Sequence, residues 1–285
     1  MKIIFSRKGF DSSYGGGASP ILPDGRLLSI PIPAGDGEKG IPYKQLEYEK
    51  DRNYEQLMLE LGLKIPDTGL CHLDPDLDKG TLKRNEDWRP IFGQHGAANK
   101  HLFNRLVEPG DIFLFFGSFK RTCFDYQGKL RFEKDYERHI IFGYLKIADV
   151  FQLGGMSPEE LKGCEQKLNW ALEHPHFQNN YGKENAVFIS GGNNEQSQYK
   201  AGTFKYDDSL VLTRTGFPKS QWELPDFFHP SFGTEISRHA NEKKFRLTNG
   251  HCQIQTVGIG QDFVVKGSEE IENWALELIE NAEVT

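Results

Sequence analysis

Ile112-Phe-Leu-Phe-Phe-Gly117 is an unbroken apolar run introduced by the turn Pro109-Gly110-Asp111. Such a run is too short to stand alone as a helix and has no polar alternation. It therefore predicts a strand covered on both faces, near the middle of a sheet. A partner strand is expected at His139 to Ile147, and others at Lys2 to Phe5, Leu27 to Ile32, Ala186 to Ile189, Ser209 to Thr213, His251 to Val257 and Phe263 to Val265. Helices are expected over Tyr43 to Leu61, where Tyr54, Leu57, Met58 and Leu61 fall at helical spacing, and over Gly96 to Val107. Ser157-Pro-Glu-Glu160 is a capping box that opens a helix to about Glu173, with Leu161, Leu168 and Leu172 toward the core. A last helix follows Ser268, with Ile271, Trp274, Ala275, Leu278 and Ile279 as its apolar stripe. The expected fold is α+β, a single mixed domain over residues 1–285 around a central, partly antiparallel sheet with flanking helices; residues 1–150 and 151–285 are candidate sub-regions.

A chain of 285 residues buries a core without covalent staples. Cys71, Cys123, Cys164 and Cys252 are scattered, with no Cys-x-x-Cys pair, which fits a reducing compartment. The apolar start is far shorter than a signal-peptide core, and no later run approaches a membrane span, so a cytoplasmic protein without a membrane partner is expected. Net charge of -7 argues against binding nucleic acid through clustered basic tails, while leaving room for a local basic cleft.

Phe5-Ser-Arg-Lys-Gly-Phe-Asp-Ser-Ser-Tyr-Gly-Gly-Gly17 concentrates a cation pair, a carboxylate, hydroxyl groups and three successive glycines after the first strand. Glycines together point to positive φ angles or to close approach by a visitor such as an anion or a sugar, although a plain polar loop has the same look. Ser6, Arg7, Lys8, Phe10, Tyr14, Gly15 and Gly16 are the candidate binding residues here, with Arg7 and Lys8 reading equally as phosphate clamps or solvated surface. In Cys71-His-Leu-Asp-Pro-Asp76, Asp74 is held extended by the following proline. His72, Asp74 and Asp76 are donor types that suit zinc, iron or manganese. An Asp-Pro-Asp turn more often only bonds its own backbone, and no metal or other cofactor is expected. Gly93-Gln-His-Gly96 and His101 offer an amide and imidazoles that exchange protons near neutrality, or that merely cap a helix. In Gly260-Gln-Asp-Phe263, strand alternation sends Gln261 and Phe263 to one face and Asp262 to the other.

Taken together, these segments resemble one family. Phe5 through Gly16, Ser19-Pro-Ile21, His72-Leu-Asp-Pro-Asp-Leu77, Gly93-Gln94, Gly96-Ala97-Ala98, His101-Leu102, Gly110 through Gly117 and Gly260-Gln-Asp-Phe-Val264 are similar to the nucleotide modification associated domain 3 family over most of the chain. The resemblance implies a setting in phage and bacterial systems that modify DNA bases, without fixing a reaction. It also implies a glutamate after the late glutamine, where this chain has the shorter Asp262. A weaker similarity, in Pro109 to Phe116 followed by His139 to Ile147, is to PUA-like barrels that read modified bases.

A base in stacked DNA is out of reach, so an enzyme acting on it must flip the nucleotide into a pocket with stacking rings and edge hydrogen bonds. Phe10, Tyr14 and Phe263 are rings of that kind, and Asp11, Gln94 and Gln261 are suitable polar partners. Hydrolysis of an N-glycosidic bond then needs a carboxylate, for which Asp11, Asp74 and Asp262 are candidates, and a proton donor, for which His72 and His101 are candidates. Neither a P-loop nor a Gly-x-Gly-x-x-Gly fingerprint supplies a donor-nucleotide site. The expectation is thus a DNA glycosylase in anti-phage defence whose partner is DNA carrying modified bases. A non-catalytic PUA-like reader and a transferase that installs a group on the base are the alternatives.

Overall fold

The protein is represented by a computed structural model that describes residues 1–191, 200–256 and 262–283. One mixed sheet contains β1 (Ile3–Arg7), β2 (Ser19–Ile21), β3 (Ile91–His95), β4 (Ile112–Phe124), β5 (Leu130–Phe132), β6 (Arg138–Gln152), β7 (Asn185–Ser190), β8 (Ala201–Thr203), β9 (Glu235–Ile236) and β10 (Asp262–Lys266). Its main path runs β9-β10-β1-β4-β6-β7-β3, while β2 and β5 pair with β4 and β8 pairs with β6. β1 and β2 are parallel to β4, and the other pairings are antiparallel. Among the described residues the α-helices are α1 (Tyr54–Glu60), α2 (Gly96–Asn104), α3 (Pro158–Lys167), α4 (Pro175–Gln178) and α5 (Glu269–Asn281). The mixed α+β architecture expected from the sequence is the one observed.

The apolar run is the buried half of β4, and its alternation divides the core in two. Phe113 and Phe115 meet Phe92 edge-on at 4.9 and 5.1 Å, and Phe188 closes that cluster. Phe116, on the opposite face, meets Trp222 edge-on at 4.9 Å. Edge-to-face contacts let the negative ring face meet a positive ring edge, so rings pack densely without needing polar partners.

A flat sheet would separate β10 from β3 by five strand spacings, roughly 24 Å. Instead, Gln94 Nε2 on β3 donates to Asp262 Oδ2 on β10 at 2.9 Å. The sheet is therefore strongly curled around its phenylalanines. Among the described residues no backbone ladder joins β3 to β10, so the PUA-like barrel suggested by the two central strands is replaced by an open curl with a side-chain seam.

β3 ends the path, and each of its outward amides is satisfied. Ile91 N donates to Asp76 O at 2.9 Å, Gly93 N to Asp74 Oδ1 at 2.8 Å, and His95 N to Gln94 Oε1 at 3.1 Å. The strand edge is thus finished by the turn that carries Asp74.

Several local expectations give way to turn chemistry. Tyr43 to Leu61 is not one helix, because Asp51 adopts a φ of 62° in a tight turn; α1 starts only after Asn53, whose side chain accepts from Gln56 N in a reciprocal cap. Leu27 to Ile32 is not one strand: Leu27 makes a single bridge with Ile21, and only the end enters a ladder, as Ile32–Pro33 against Leu70–His72, since proline has no amide hydrogen to extend one. α3 stops at Lys167, with Leu168 buried and Leu172 exposed. The Asp207 side chain accepts from Ser209 N and winds Asp208–Leu210 into a 3₁₀ turn in place of a strand. The expected strand at His251 extends to Gln255, and Val257 lies outside the described residues. No helix among the described residues is long and apolar enough to cross a membrane.

Candidate functional site

Curling brings the ends of β1 and β3 together, and a cavity of about 420 Å³ opens where they meet the His72–Asp74 turn and the chain after α4. Arg7 and Lys8 continue from β1 onto its rim, with Asp11 and Tyr14 from the adjoining loop. Gln94 and His95 come from β3, and His176 and Tyr181 from α4 and its exit. Arg7, Lys8, Asp11, Tyr14, His72, Asp74 and Gln94, which the sequence analysis singled out from separate segments, thus share one wall-to-wall space. A second, more open groove of about 1510 Å³ contains Arg138, Arg214 and Lys219, but each of these cations is already paired, with Asp135, Glu223 and Glu137 respectively.

The glycine-rich loop is held from within. Asp11 Oδ1 accepts from Ser13 N at 2.7 Å and Tyr14 N at 2.8 Å, while its Oδ2 lies 3.7 Å from Arg7 Nε. Gly15 has a φ of +85°, and a Cβ there would lie 2.5 Å from the Phe10 ring, so only glycine lets the loop fold over that side chain. Lys8 Nζ stands 4.4 Å from the centre of the Phe92 ring. A cation over a ring face is held by the ring quadrupole, which aims Lys8 along the curled interior. His95 and Tyr181 stack at 4.2 Å and 12°, forming a flat aromatic element on the wall.

The deepest part of the cavity is built around Asp74. Its Oδ1 takes the Gly93 amide, and His174 Nε2 lies 3.4 Å from the same oxygen but outside hydrogen-bonding alignment. Its Oδ2 lies 3.7 Å from both His72 Nε2 and His176 Nε2. Burial alone would raise the Asp74 pKa; interaction with His174, His72 and His176 overcomes that and holds the carboxyl well below its ordinary range. Burial pushes His176 down to about 3, against the pull of Asp74. Burial and the charges of His72 and Lys8 also lower the His95 pKa. Gly93 makes this packing feasible, because a Cβ there would lie 2.2 Å from the His176 ring.

Other expected residues stand outside the cavity. Ser6 and Asp262 are fully buried behind it, where Ser6 Oγ donates to Asp262 Oδ1 at 2.7 Å and Gln94 donates to Oδ2; Asp262 therefore fixes the amide without facing the space. Phe10 is fully buried against Tyr43, and Phe263 is buried beside Trp222 and His239, so both rings belong to the core and neither is presented for stacking. His101, on α2, is bonded to Ser237 Oγ at 2.9 Å away from the lining, and burial with Arg238 and Arg105 lowers its pKa. Gly15 and Gly16 shape the loop and do not line the space. Asp76 turns the other way and pairs with Arg84 at 2.6 Å. Gln261 lies outside the described residues.

His174, His176, Tyr181 and Glu38, the last also on the cavity lining, were not among the residues singled out from the sequence. His174-Pro-His176 concentrates two of the chain's nine histidines in three residues, and that density was the available signal.

Fold and site define a mixed α+β protein with a partly open cavity of small-ligand size, bordered by cations and flat rings. Residues 2–266 match the model of the nucleotide modification associated domain 3 family, and the chain belongs to that family. Membership is consistent with a role in DNA modification. No curated protein and no solved structure matches the chain.

Proposed function

We propose that the protein is a DNA-base-directed hydrolase that cleaves the N-glycosidic bond of a modified nucleotide held everted in the Asp74 cavity. The observation that carries this reading is the convergence of a buried carboxylate, a fixed amide and two cations on one space. Arg7 and Lys8 suit the flanking phosphates. The Gln94 amide, anchored by Asp262, suits the polar edge of a base, and the His95–Tyr181 stack suits its face. Asp74, kept anionic, suits a role opposing positive charge that develops on the sugar. In the step itself, water forms the O–C1′ bond as the C1′–N bond breaks. The bonding pair leaves with the base nitrogen, which gains one proton while an abasic sugar remains.

The test is incubation of the protein with hypermodified and with plain phage DNA, followed by mass spectrometry of free bases and a count of abasic sites. Released modified base with matching abasic sites is expected. Tight binding without release would replace the hydrolase by a reader, and a mass gain on DNA with an added donor would replace it by a transferase.

A further inference from the structure

We infer that His72, Asp74 and His176 bind a divalent first-row transition-metal ion at the floor of the cavity, through the two imidazole Nε2 atoms and Asp74 Oδ2. These three donors all lie within 4.8 Å of one another, and they are the metal-type cluster found among the described residues. The carboxylate-to-imidazole separations of 3.7 Å compare with about 3.4 Å between ligand atoms of a tetrahedral ion bonded at about 2.1 Å, so small side-chain movements suffice.

Hydrogen bonding fixes which nitrogen each ring offers. Asn185 Nδ2 donates to the His176 carbonyl at 2.9 Å, which turns Asn185 Oδ1 toward His176 Nδ1 at 2.6 Å. That nitrogen therefore carries the hydrogen, which leaves Nε2, aimed at the Asp74 carboxylate, as the atom available to an ion. The 3.7 Å between Nε2 and Oδ2 exceeds a hydrogen bond and is close to the spacing of two ligands on one ion. His72 presents Nε2 to the same oxygen, while its Nδ1 lies 3.3 Å from the Tyr181 hydroxyl. The other carboxylate oxygen is held by Gly93 N, so Oδ2 is left for the ion. Outer partners that orient each ligand's second polar atom are the usual support of a metal site.

Two imidazoles and one carboxylate suit zinc or iron, with the remaining coordination positions facing the cavity. The set differs from the one weighed from sequence, since Asp76 is committed to Arg84 and His176 takes its place. The inference rests on donor geometry and not on the reaction proposed above.

The experiment uses the full chain, treated with a chelator, dialysed and titrated with Co²⁺, with visible absorption, elemental analysis and circular dichroism as readouts. One ion per chain with ligand-field bands is expected, Zn²⁺ displacing Co²⁺. His176→Gln and His72→Gln should abolish stoichiometric binding, and His251→Gln, on the exposed surface, should leave it intact. Should either ligand variant fail to fold, Asn185→Leu, which removes the acceptor for His176 Nδ1–H, provides a second arm, with metal affinity expected to fall about 10–100-fold. Folded wild-type protein that takes up neither Co²⁺ nor Zn²⁺ overturns the inference, as does binding that survives both ligand substitutions. Because no DNA is present, failure of base release leaves this result untouched.

Discussion

His139 and His176 are both sealed from water, at 6% and 2% exposure, and burial pushes both pKa values down to about 3. Their surroundings give them opposite uses. His139 sits on β6 against Phe116, and its Nδ1 accepts from Trp222 Nε1 at 3.0 Å, so its lone pair is consumed inside an aromatic corner. His176 has its N–H consumed by Asn185, and its lone pair is left facing Asp74 beside a cavity. Burial therefore does not separate a structural imidazole from a ligand-like one. What separates them is which nitrogen the neighbours occupy.

The largest effect that sharpens this contrast is expected from Trp222→Ala. Trp222 touches Phe5, Phe116 and Phe263 as well as His139, and its removal should cost about 3–5 kcal/mol in urea unfolding while sparing Co²⁺ binding of the folded fraction. A loss below about 1 kcal/mol would mean the aromatic corner is not the structural partner described.

Next comes the pH dependence of His139. Its folded pKa is depressed by burial and by the facing charges of Lys219 and Arg7, so in acid the unfolded chain takes up the proton first. Its contribution to stability is complete above pH 6.5 and falls as the pH drops toward 3. His139→Gln, which keeps an acceptor for the indole, should lose roughly 2 kcal/mol less than wild type between pH 6.5 and 5, measured as urea midpoints. Equal slopes would break the comparison.

The smallest change in stability is expected from Asn185→Leu, about 1–2 kcal/mol for the hydrogen bonds to His176, with Co²⁺ affinity falling far more than stability. Loss of stability without loss of affinity would show that His176 is held like His139, for packing alone.

Sequence patterning exposed the sheet because β4, β6 and β7 each contain an apolar run, and it exposed α5 because its stripe repeats at helical spacing. It failed between Tyr43 and Leu61, where a single positive-φ residue, Asp51, interrupts an otherwise helical composition. The glycine loop and the His72–Asp74 turn were legible as polar groups on irregular backbone. The direction of each side chain was not: Phe10 and Phe263 have the composition of a stacking platform, yet they fill the core. His176 was hidden because its place depends on Gly93, eighty-three positions earlier, lacking the atom that would exclude it. The Gln94–Asp262 bond was hidden for a related reason, since it exists only once the sheet has curled.

The finish given to β3 makes one carboxylate serve two ends. Asp74 Oδ1 covers the outward amide of Gly93 on the terminal strand of the path. A chain deprived of that oxygen would leave the Gly93 amide without a partner in a buried place, at a cost of about 1–3 kcal/mol. Apolar or shortened replacements of Asp74 thus weaken the fold itself even where the cavity stands idle, whereas Asn, which keeps an acceptor oxygen, spares that bond and removes the charge alone.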